Sequence, residues 1–395
     1  MNSAAIKKAT IPTVLTPPAV VEGEFWTSKQ RQASSLHEIS YRACFKPQLP
    51  RYFIERYSEK GDVVYDPFMG RGTTIIEAAL LGRNVIGNDV NPLSRILAEP
   101  RLDIPEINEV EARLAKIPFS HRERASLNLA MFFERKTESE IVSLQKYLAA
   151  RKKEGTEDKI DKWIRMVATN RLTGHSSGFF SVYTLPPNQA TLPNNQKRIN
   201  RLRKQRPEYR NITKIILKKT RALLNRLPSE ERRNLQSVKA QAKFFSCDAR
   251  DVNGIADGSV GLSVTSPPFL NIVQYSHDNW LRCWFNGIDE NTVALHVTMS
   301  KSVDEWCDVM LGVFKELFRT TKPGGHVAFE VGEVRNGTIN LDEHVMPLGR
   351  AAGFLCESVF INKQQFTKTA NIWGIQNNKL GTNTNRIVLF KKTKM

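Results

Sequence analysis

The sequence predicts a doubly wound α/β fold, a mostly parallel seven-stranded sheet interrupted by a large helical insertion. Three observations carry that prediction. Short apolar runs ending in turn residues alternate with helical stretches toward both ends of the 395-residue chain. A glycine-rich turn joins the first such run to a helix. The middle, from about residue 101 to 240, abandons the alternation for helical patterns dense in positive charge.

The first strand is expected at VVYDPF (63–68) and the second at VIGNDV (85–90). Between them TTIIEAALLGR (73–83) reads as a helix closed by Gly82. The third strand is expected at FFSCDA (244–249), with Asp248 at its end, the fourth at VGLSVTSPPF (260–269) and the fifth at HVAFEVGEV (326–334). The helix WCDVMLGVFKELFRTT precedes the fifth strand and is expected to stop at Lys322-Pro323-Gly324-Gly325. Candidate strands at 355–362 and RIVLF (386–390) complete the sheet. In the middle, EIVSLQKYLAARKK (140–153) and DKWIRMVATNRL (161–172) have helical spacing, and the loop TLPPNQATLPNNQ (184–196) leads into a run rich in Arg and Lys (195–227). The chain thus divides into residues 1–100, a basic helical insertion over 101–240, and 241–395, without an internal repeat.

The formal net charge of +18 and a pI near 9.7 point to a polyanionic partner. Five cysteines, Cys44, Cys247, Cys283, Cys307 and Cys356, are too scattered for a disulfide framework or a zinc site. None follows a proline, so a Pro-Cys nucleophile for methylation at a pyrimidine carbon is absent. The proline-interrupted N-terminus does not read as a signal peptide, and no apolar run approaches a membrane span. A soluble, cytoplasmic, nucleoid-associated protein is expected.

The first chemical signal is Asp66-Pro67-Phe68-Met69-Gly70-Arg71-Gly72-Thr73-Thr74, between the first strand and its helix. Its glycines permit a tight turn and close backbone approach to a ligand. Ile75 stands where a dinucleotide fingerprint has its third glycine, which argues against a pyrophosphate-binding dehydrogenase, and there is no Gly-Lys-Ser/Thr phosphate loop. Asp89 follows the second strand and is placed to accept from ribose hydroxyls; Asp248 could accept from an adenine amino group. Three acids at successive strand ends describe an adenosine pocket.

The second signal is Thr265-Ser266-Pro267-Pro268-Phe269. An exocyclic base amine is a poor nucleophile because its lone pair is delocalised into the ring. Acceptors aimed at its two N–H bonds draw it toward a tetrahedral geometry, and the Ser266 hydroxyl and the Pro267 carbonyl are such acceptors. Adjacent prolines hold them in place beforehand, and Phe269 offers a face for a base swung out of a duplex.

Together, the glycine turn, Gly87-x-Asp89-x-Asn91-Pro92 and Thr265-Ser266-Pro267-Pro268-Phe269 resemble the DNA amino-methyltransferase family. Phe45-Lys46-Pro47-Gln48-Leu49-Pro50 resembles the family segment that covers the methionine end of the cofactor. The resemblance spans roughly residues 40–100 and 240–395 and implies a Rossmann-like fold, S-adenosyl-L-methionine as cofactor, and base flipping in double-stranded DNA. By carry-over, Asp66, Phe68, Gly70, Gly72 and Thr73 line the methionine half, Asp89 the ribose and Asp248 the adenine. Lys46, Pro47, Pro67, Thr74, Asn91, Ala249 and Thr265 complete the implied cofactor set, and no metal is implied. Ser266, Pro267, Pro268 and Phe269 form the implied catalytic loop. Serine in its first position is the cytosine-N4 pattern; adenine-N6 enzymes, RNA amino-methyltransferases and a non-catalytic DNA-binding protein of this fold remain alternatives. A restriction–modification setting, with a cognate restriction endonuclease, is also implied.

The insertion is the expected target-recognition region, with Lys197, Arg198, Arg201, Arg203 and Lys204 as candidate phosphate contacts. Its position before the third strand departs from family layouts in which that strand comes first. Gly174-His175-Ser176-Ser177-Gly178 spells a hydrolase nucleophile elbow, but a helix precedes it where that motif needs a strand. Trp280, Leu281 and Trp284 share one helix face and are expected in the core, and Arg282 and His277 are weak candidates for DNA contact. The whole assignment requires the glycine turn and the Ser-Pro-Pro loop to face one crevice.

Overall fold

Strand side chains alternate between two hydrophobic cores, one on each face of the sheet. Val64, Leu262, Val264, Ala328, Ile387 and Leu389 face one core. Their strand neighbours Tyr65, Val327, Phe329, Val388 and Phe390 face the other. A sheet covered on both sides needs apolar residues at successive positions, which is why these strands read as near-continuous apolar runs.

The structure is a computed structural model that describes residues 18–25, 33–41, 45–185, 190–268, 275–289, 302–334, 339–363 and 384–394. Its elements in chain order are β1 (Ala19–Gly23), α1 (Gln48–Tyr57), β2 (Val63–Asp66), α2 (Thr73–Leu80), β3 (Asn84–Asn88) and α3 (Pro92–Ala98). Six helices follow: α4 (Ile107–Lys116), α5 (Arg135–Lys153), α6 (Lys159–Arg171), α7 (Pro193–Leu202), α8 (Ile212–Leu224) and α9 (Ser229–Val238). The chain then resumes the alternation with β4 (Lys243–Phe245), β5 (Val260–Thr265), α10 (Tyr275–Asn286), α11 (Val303–Thr320) and β6 (Thr321–Val331). It closes with β7 (Glu333–Val334), β8 (Ile339–Asn340), α12 (Leu341–Ala351), β9 (Leu355–Lys363) and β10 (Thr384–Lys391).

The main sheet has eight strands in the order β1-β9-β10-β6-β5-β2-β3-β4, with β10 antiparallel to both neighbours and the other pairings parallel. The expected count of seven is therefore corrected: Ala19–Gly23 adds an edge strand to β9, with Ala19 opposite Ser358. Its side chains are largely exposed, so no burial pattern announces it.

Two local boundaries also differ. Pro323, Gly324 and Gly325 lie inside β6 rather than ending the structure ahead of it. The register slips between Val260 and Leu262, and Gly324 takes φ +81°, so the breaker residues form an irregularity within a paired strand. The third expected strand stops at Phe245, leaving Asp248 in the turn beyond it. The basic run after residue 195 forms two helices, with Pro207 between them and an Asn211 cap whose Oδ1 accepts from the Lys214 N–H at 2.8 Å.

The helices between β3 and β4 share the first core. Val110, Leu114, Ile141, Trp163 and Ile216 belong to the same cluster as Val64 and Leu262. The insertion therefore extends this core by packing on the helices that cover the sheet, α9 against α2, α6 against α3, and α5 and α6 against α10.

Candidate active site

Adjacent parallel strands β2 and β5 place their following loops side by side. The chain leaves β2 toward β3 and β4 on one side, then returns to β5 and β6 on the other. Such a switch point opens a crevice at the carboxyl ends of the strands. Two hydrogen bonds join the loops across it. The Thr265 hydroxyl donates to Asp66 Oδ1 at 2.6 Å, and the Thr74 hydroxyl donates to the Val264 carbonyl at 2.9 Å. The glycine turn and the Ser266 loop thus meet on one crevice.

Gly70 (φ +50°) and Gly72 (φ +81°) adopt left-handed backbone that a side chain would strain. Asp66 is buried, and its Oδ1 also accepts from the Phe68 N–H at 3.1 Å. Burial pushes its pKa up to about 7, opposed by hydrogen bonds from Thr265, Phe68 and Thr74 and aided by the charge of Asp89. The folded protein therefore holds a proton that the unfolded chain has released between roughly pH 4 and 7, and stability falls as pH rises through that window. Asp66→Asn, a permanent stand-in for the protonated acid, should flatten the fall. Thermal unfolding followed across the window checks this, and a variant as pH-sensitive as the wild type would contradict it.

Asn88, which the sequence reading passed over, organises the crevice floor. Fully buried, it donates from Nδ2 to the Pro67 carbonyl at 3.3 Å and the Cys247 carbonyl at 3.0 Å, and accepts from the Cys247 N–H at 3.2 Å. One amide thereby ties together the ends of β2, β3 and β4. Asp89 follows it, half-buried, accepting from the Gly70 N–H and the Asn91 N–H at 2.9 Å each. Burial raises its pKa against these bonds. Each carboxylate oxygen has a second acceptor site, so Asp89 retains capacity for a ligand. Asn91 caps α3 through Oδ1, which accepts from the Leu93 N–H at 3.0 Å, while its buried Nδ2 has no partner among the described residues.

The other expected cofactor residues fall around this turn with unequal exposure. Pro67, Thr73 and Thr74 are buried, Phe68 is half-buried, and Thr73 Oγ1 accepts from Arg71 Nε at 3.2 Å. Lys46 is half-buried, with its pKa lowered by burial, and Pro47 is buried at the start of α1. Asp248 pairs with Arg250, accepting from Nε at 3.0 Å and Nη2 at 2.6 Å, above a buried Ala249.

In the expected catalytic loop Ser266 is partly exposed and Pro267 buried, and the Pro268 carbonyl accepts from Trp306 Nε1 at 3.0 Å. That bond anchors the loop to α11. Phe269 lies outside the described residues. Ser266 hydrogen-bonds through its side chain to Glu330, a carboxylate on β6 that was missed in the sequence. Asn385 Nδ2 on β10 donates to Glu330 Oε1 at 2.7 Å. Burial raises the Glu330 pKa, while Ser266 and Asn385 favour its charged form. A lone acid inside the apolar run VAFEV was the available signal.

Leu281 is fully buried, and Trp280 and Trp284 pack against the first core. Arg282 is buried, donating to Asn279 Oδ1 at 2.9 Å and the Ser40 carbonyl at 3.1 Å, and this corrects its candidacy for DNA contact. The His277 side chain lies outside the described residues. Gly174 follows α6 and forms only an isolated bridge with Tyr183, so the elbow geometry of a hydrolase is absent there. Lys197, Arg198, Arg201, Arg203 and Lys204 are all exposed on α7 and the turn after it, and none forms an ion pair among the described residues. The Arg203 guanidinium lies 3.8 Å from the Tyr183 ring centre. Among the described residues no acid, histidine or cysteine cluster could hold a metal, and no helix is long and apolar enough to cross a membrane.

Residues 6–96 match the family model described as DNA methylase, of the N6/N4 methyltransferases. The type II methyltransferase M.MjaII of Methanocaldococcus jannaschii is 36% identical over 21% of this chain and 16% of the relative. The type II methyltransferase M.BsoBI of Geobacillus stearothermophilus is 43% identical over 19% of this chain and 15% of the relative. A tRNA (guanine(10)-N2)-dimethyltransferase of Methanocaldococcus jannaschii is 28% identical over 25% of this chain and 36% of the relative. The matched segments thus span well under two thirds of these relatives' lengths.

Proposed function

We propose that this chain, whose residues 6–96 match the DNA methylase family model, methylates the exocyclic N4 amine of cytosine in duplex DNA. S-Adenosylmethionine supplies the methyl group as an electrophile. The observation that carries the reading is the Thr265–Asp66 hydrogen bond, which holds the glycine turn against the start of the Ser266 loop. Donor site and acceptor site are then one crevice.

The residues fit the cofactor. Gly70 and Gly72 leave the turn free of side chains, and the unpartnered Nδ2 of Asn91 beside Asp89 favours a polar ligand at the ribose position. Asp89 would hold the ribose hydroxyls. Asp248 would accept from the adenine amine by exchanging its Arg250 partner, since an exposed ion pair is worth little. Lys46 and Pro47 would close over the methionine end.

On the substrate side, Ser266 donates its hydroxyl proton to Glu330, which leaves the oxygen's lone pairs for an N–H of the flipped base. The Pro267 carbonyl accepts from the second N–H. Asn385 keeps Glu330 oriented, and Trp306 keeps the loop from swinging away. Transfer would be direct, without a covalent enzyme intermediate: the methyl–sulfur bond breaks as the carbon–nitrogen bond forms, the electron pair stays on sulfur and one amine proton leaves to solvent, so positioning supplies much of the rate. A modification enzyme of a restriction–modification system, with a cognate endonuclease as partner, suits this chemistry.

Mass spectrometry of nucleosides from treated duplex DNA tests the reading. N4-methylcytosine is expected; N6-methyladenine would replace cytosine by adenine as the target. Methylation of transfer RNA in place of the duplex would favour the tRNA-modifying alternative that one relative raises. No transfer of labelled methyl to either acceptor would favour a binding protein. For the exposed run on α7, neutralising Arg201, Arg203 and Lys204 together should lower the slope of log affinity against log salt by about two to three. An unchanged slope would remove that run from the phosphate-contacting face.

A further inference from the structure

Behind the glycine turn lies a second concavity of about 870 Å³, walled by residues 33–41, α6 and α8. Four cationic side chains line it, Arg71, Arg171, Lys219 and Arg226, against two acids, Glu38 and Glu231. The acids compensate poorly. Glu38 meets Lys219 Nζ at 3.3 Å but is itself 61% exposed, which makes the pair weak. Glu231 has its pKa raised by burial and by the charge of Glu77. Arg171 donates to the Asn170 carbonyl at 3.2 Å and lies 3.9 Å from the Phe179 ring centre, and it makes no ion pair among the described residues. Burial and the nearby charge of Arg282 lower its pKa to about 10. Lys219 is lowered to about 8 by burial and by the charge of Arg171. Two half-enclosed cations that repel one another stand at a cavity where an anion would offset both burdens.

The cavity shares a wall with the crevice. Tyr41 lines it, and the Tyr41 ring lies 3.6 Å from where a Gly70 Cβ would stand. Arg71, between the two crevice glycines, donates across the wall to the His37 carbonyl at 3.2 Å and the Ile39 carbonyl at 2.8 Å. A duplex strand carries a phosphate about every 3.4 Å, so one that presents a base to the crevice also brings phosphates to its rim.

We infer that this cavity grips a backbone phosphate of the duplex substrate between Arg171 and Lys219, with Arg71 as its rigid back wall. The inference rests on the duplex-DNA reading above and adds a phosphate contact distinct from the exposed run on α7. It gives the insertion a second task, fixing the duplex beside the glycine turn.

The test measures binding of a duplex oligonucleotide by the full chain over a salt series, for wild type, Lys219→Gln, Arg171→Gln and Lys219→Arg. Each neutralising variant should lower the salt slope by about 0.9, Lys219→Arg should keep the wild-type slope, and calorimetric affinity for S-adenosylmethionine should not move. Lys219 pairs with the exposed Glu38, so Lys219→Gln decides the matter if Arg171→Gln fails to fold. An unchanged slope in folded Lys219→Gln overturns the inference. So does thermal stabilisation by inorganic phosphate that Lys219→Gln abolishes without any change in slope, because the cavity would then hold a free anion. A wild type that binds neither duplex nor S-adenosylmethionine would sink the functional reading itself, a result plainly different from a normal wild type with insensitive variants.

Discussion

Ser266→Ala is expected to lower methyl transfer to duplex DNA by about a hundred- to a thousandfold, the usual cost of removing one preorganised hydrogen-bonding group from a reacting centre. Affinity for S-adenosylmethionine should stay as it is, since Gly70 and Gly72 lie on the turn after β2 and Asp89 on the turn after β3, both separate from the Ser266 loop. The size of the effect follows from the loop's rigidity. Pro267 is buried, the Pro268 carbonyl is held by Trp306, and Glu330 is held by Asn385, so these neighbouring oxygens are kept from swinging into the vacated position. The substitution also strips a donor from a buried carboxylate, which costs about 1–3 kcal/mol of stability. Rates should therefore be compared well below the unfolding midpoint. Glu330→Gln keeps an oxygen to accept from Ser266 but surrenders the charge, and a rate between those of wild type and Ser266→Ala is expected. Single-turnover transfer and calorimetry separate the outcomes. Full activity in Ser266→Ala would remove the loop from the chemistry, and lost cofactor binding would make it part of the donor site.

Local chemistry made half of this site legible and long-range pairing hid the rest. Gly82 ends a helix at φ +77°, and Gly70 and Gly72 are both left-handed, as turn residues between a strand and a helix should be. The run VGLSVT is buried at every position, which its apolar character announced. Glu330 was invisible as the partner of Ser266, and Asn385 as the partner of Glu330, because strand periodicity reports which face a residue takes, not which side chain it meets. Asn88 was overlooked for the same reason: its value lies in joining three strand ends. Asp248 was read as a strand end because FFSC is apolar, yet β4 is an edge strand whose pairing with β3 lapses after Phe245. Pro323-Gly324-Gly325 looked like a break in structure, but β6 pairs with β5 on either side of them, at Thr321 and again from His326. Arg171 and Lys219 sit on separate helices that only the packing of the insertion brings to one cavity.

Gly72→Ala should be among the most destabilising single changes in the chain, at about 2–5 kcal/mol from left-handed strain and overpacking combined. At φ +81° an added Cβ would lie 2.7 Å from the Ala98 Cβ and 3.4 Å from Arg101 Nη2. Neither neighbour can retreat. Ala98 is fully buried at the end of α3, and Arg101 is fully buried while donating to the Leu97 carbonyl at 2.9 Å, the Leu36 carbonyl at 3.0 Å and the Arg71 carbonyl. Relief must come from the turn itself, which would move toward the crevice and weaken S-adenosylmethionine binding along with stability. Gly61→Ala is the internal comparison, since Gly61 has φ +88° but nothing within 4 Å of its added Cβ. It should show the backbone strain alone, about 1–2 kcal/mol, with cofactor affinity intact. Denaturant unfolding and calorimetry on both variants measure the difference, which is the packing of α3 against the turn. If the two variants lost equal stability and both kept their cofactor affinity, the turn would be compliant, and the crevice would owe its shape to something other than this contact.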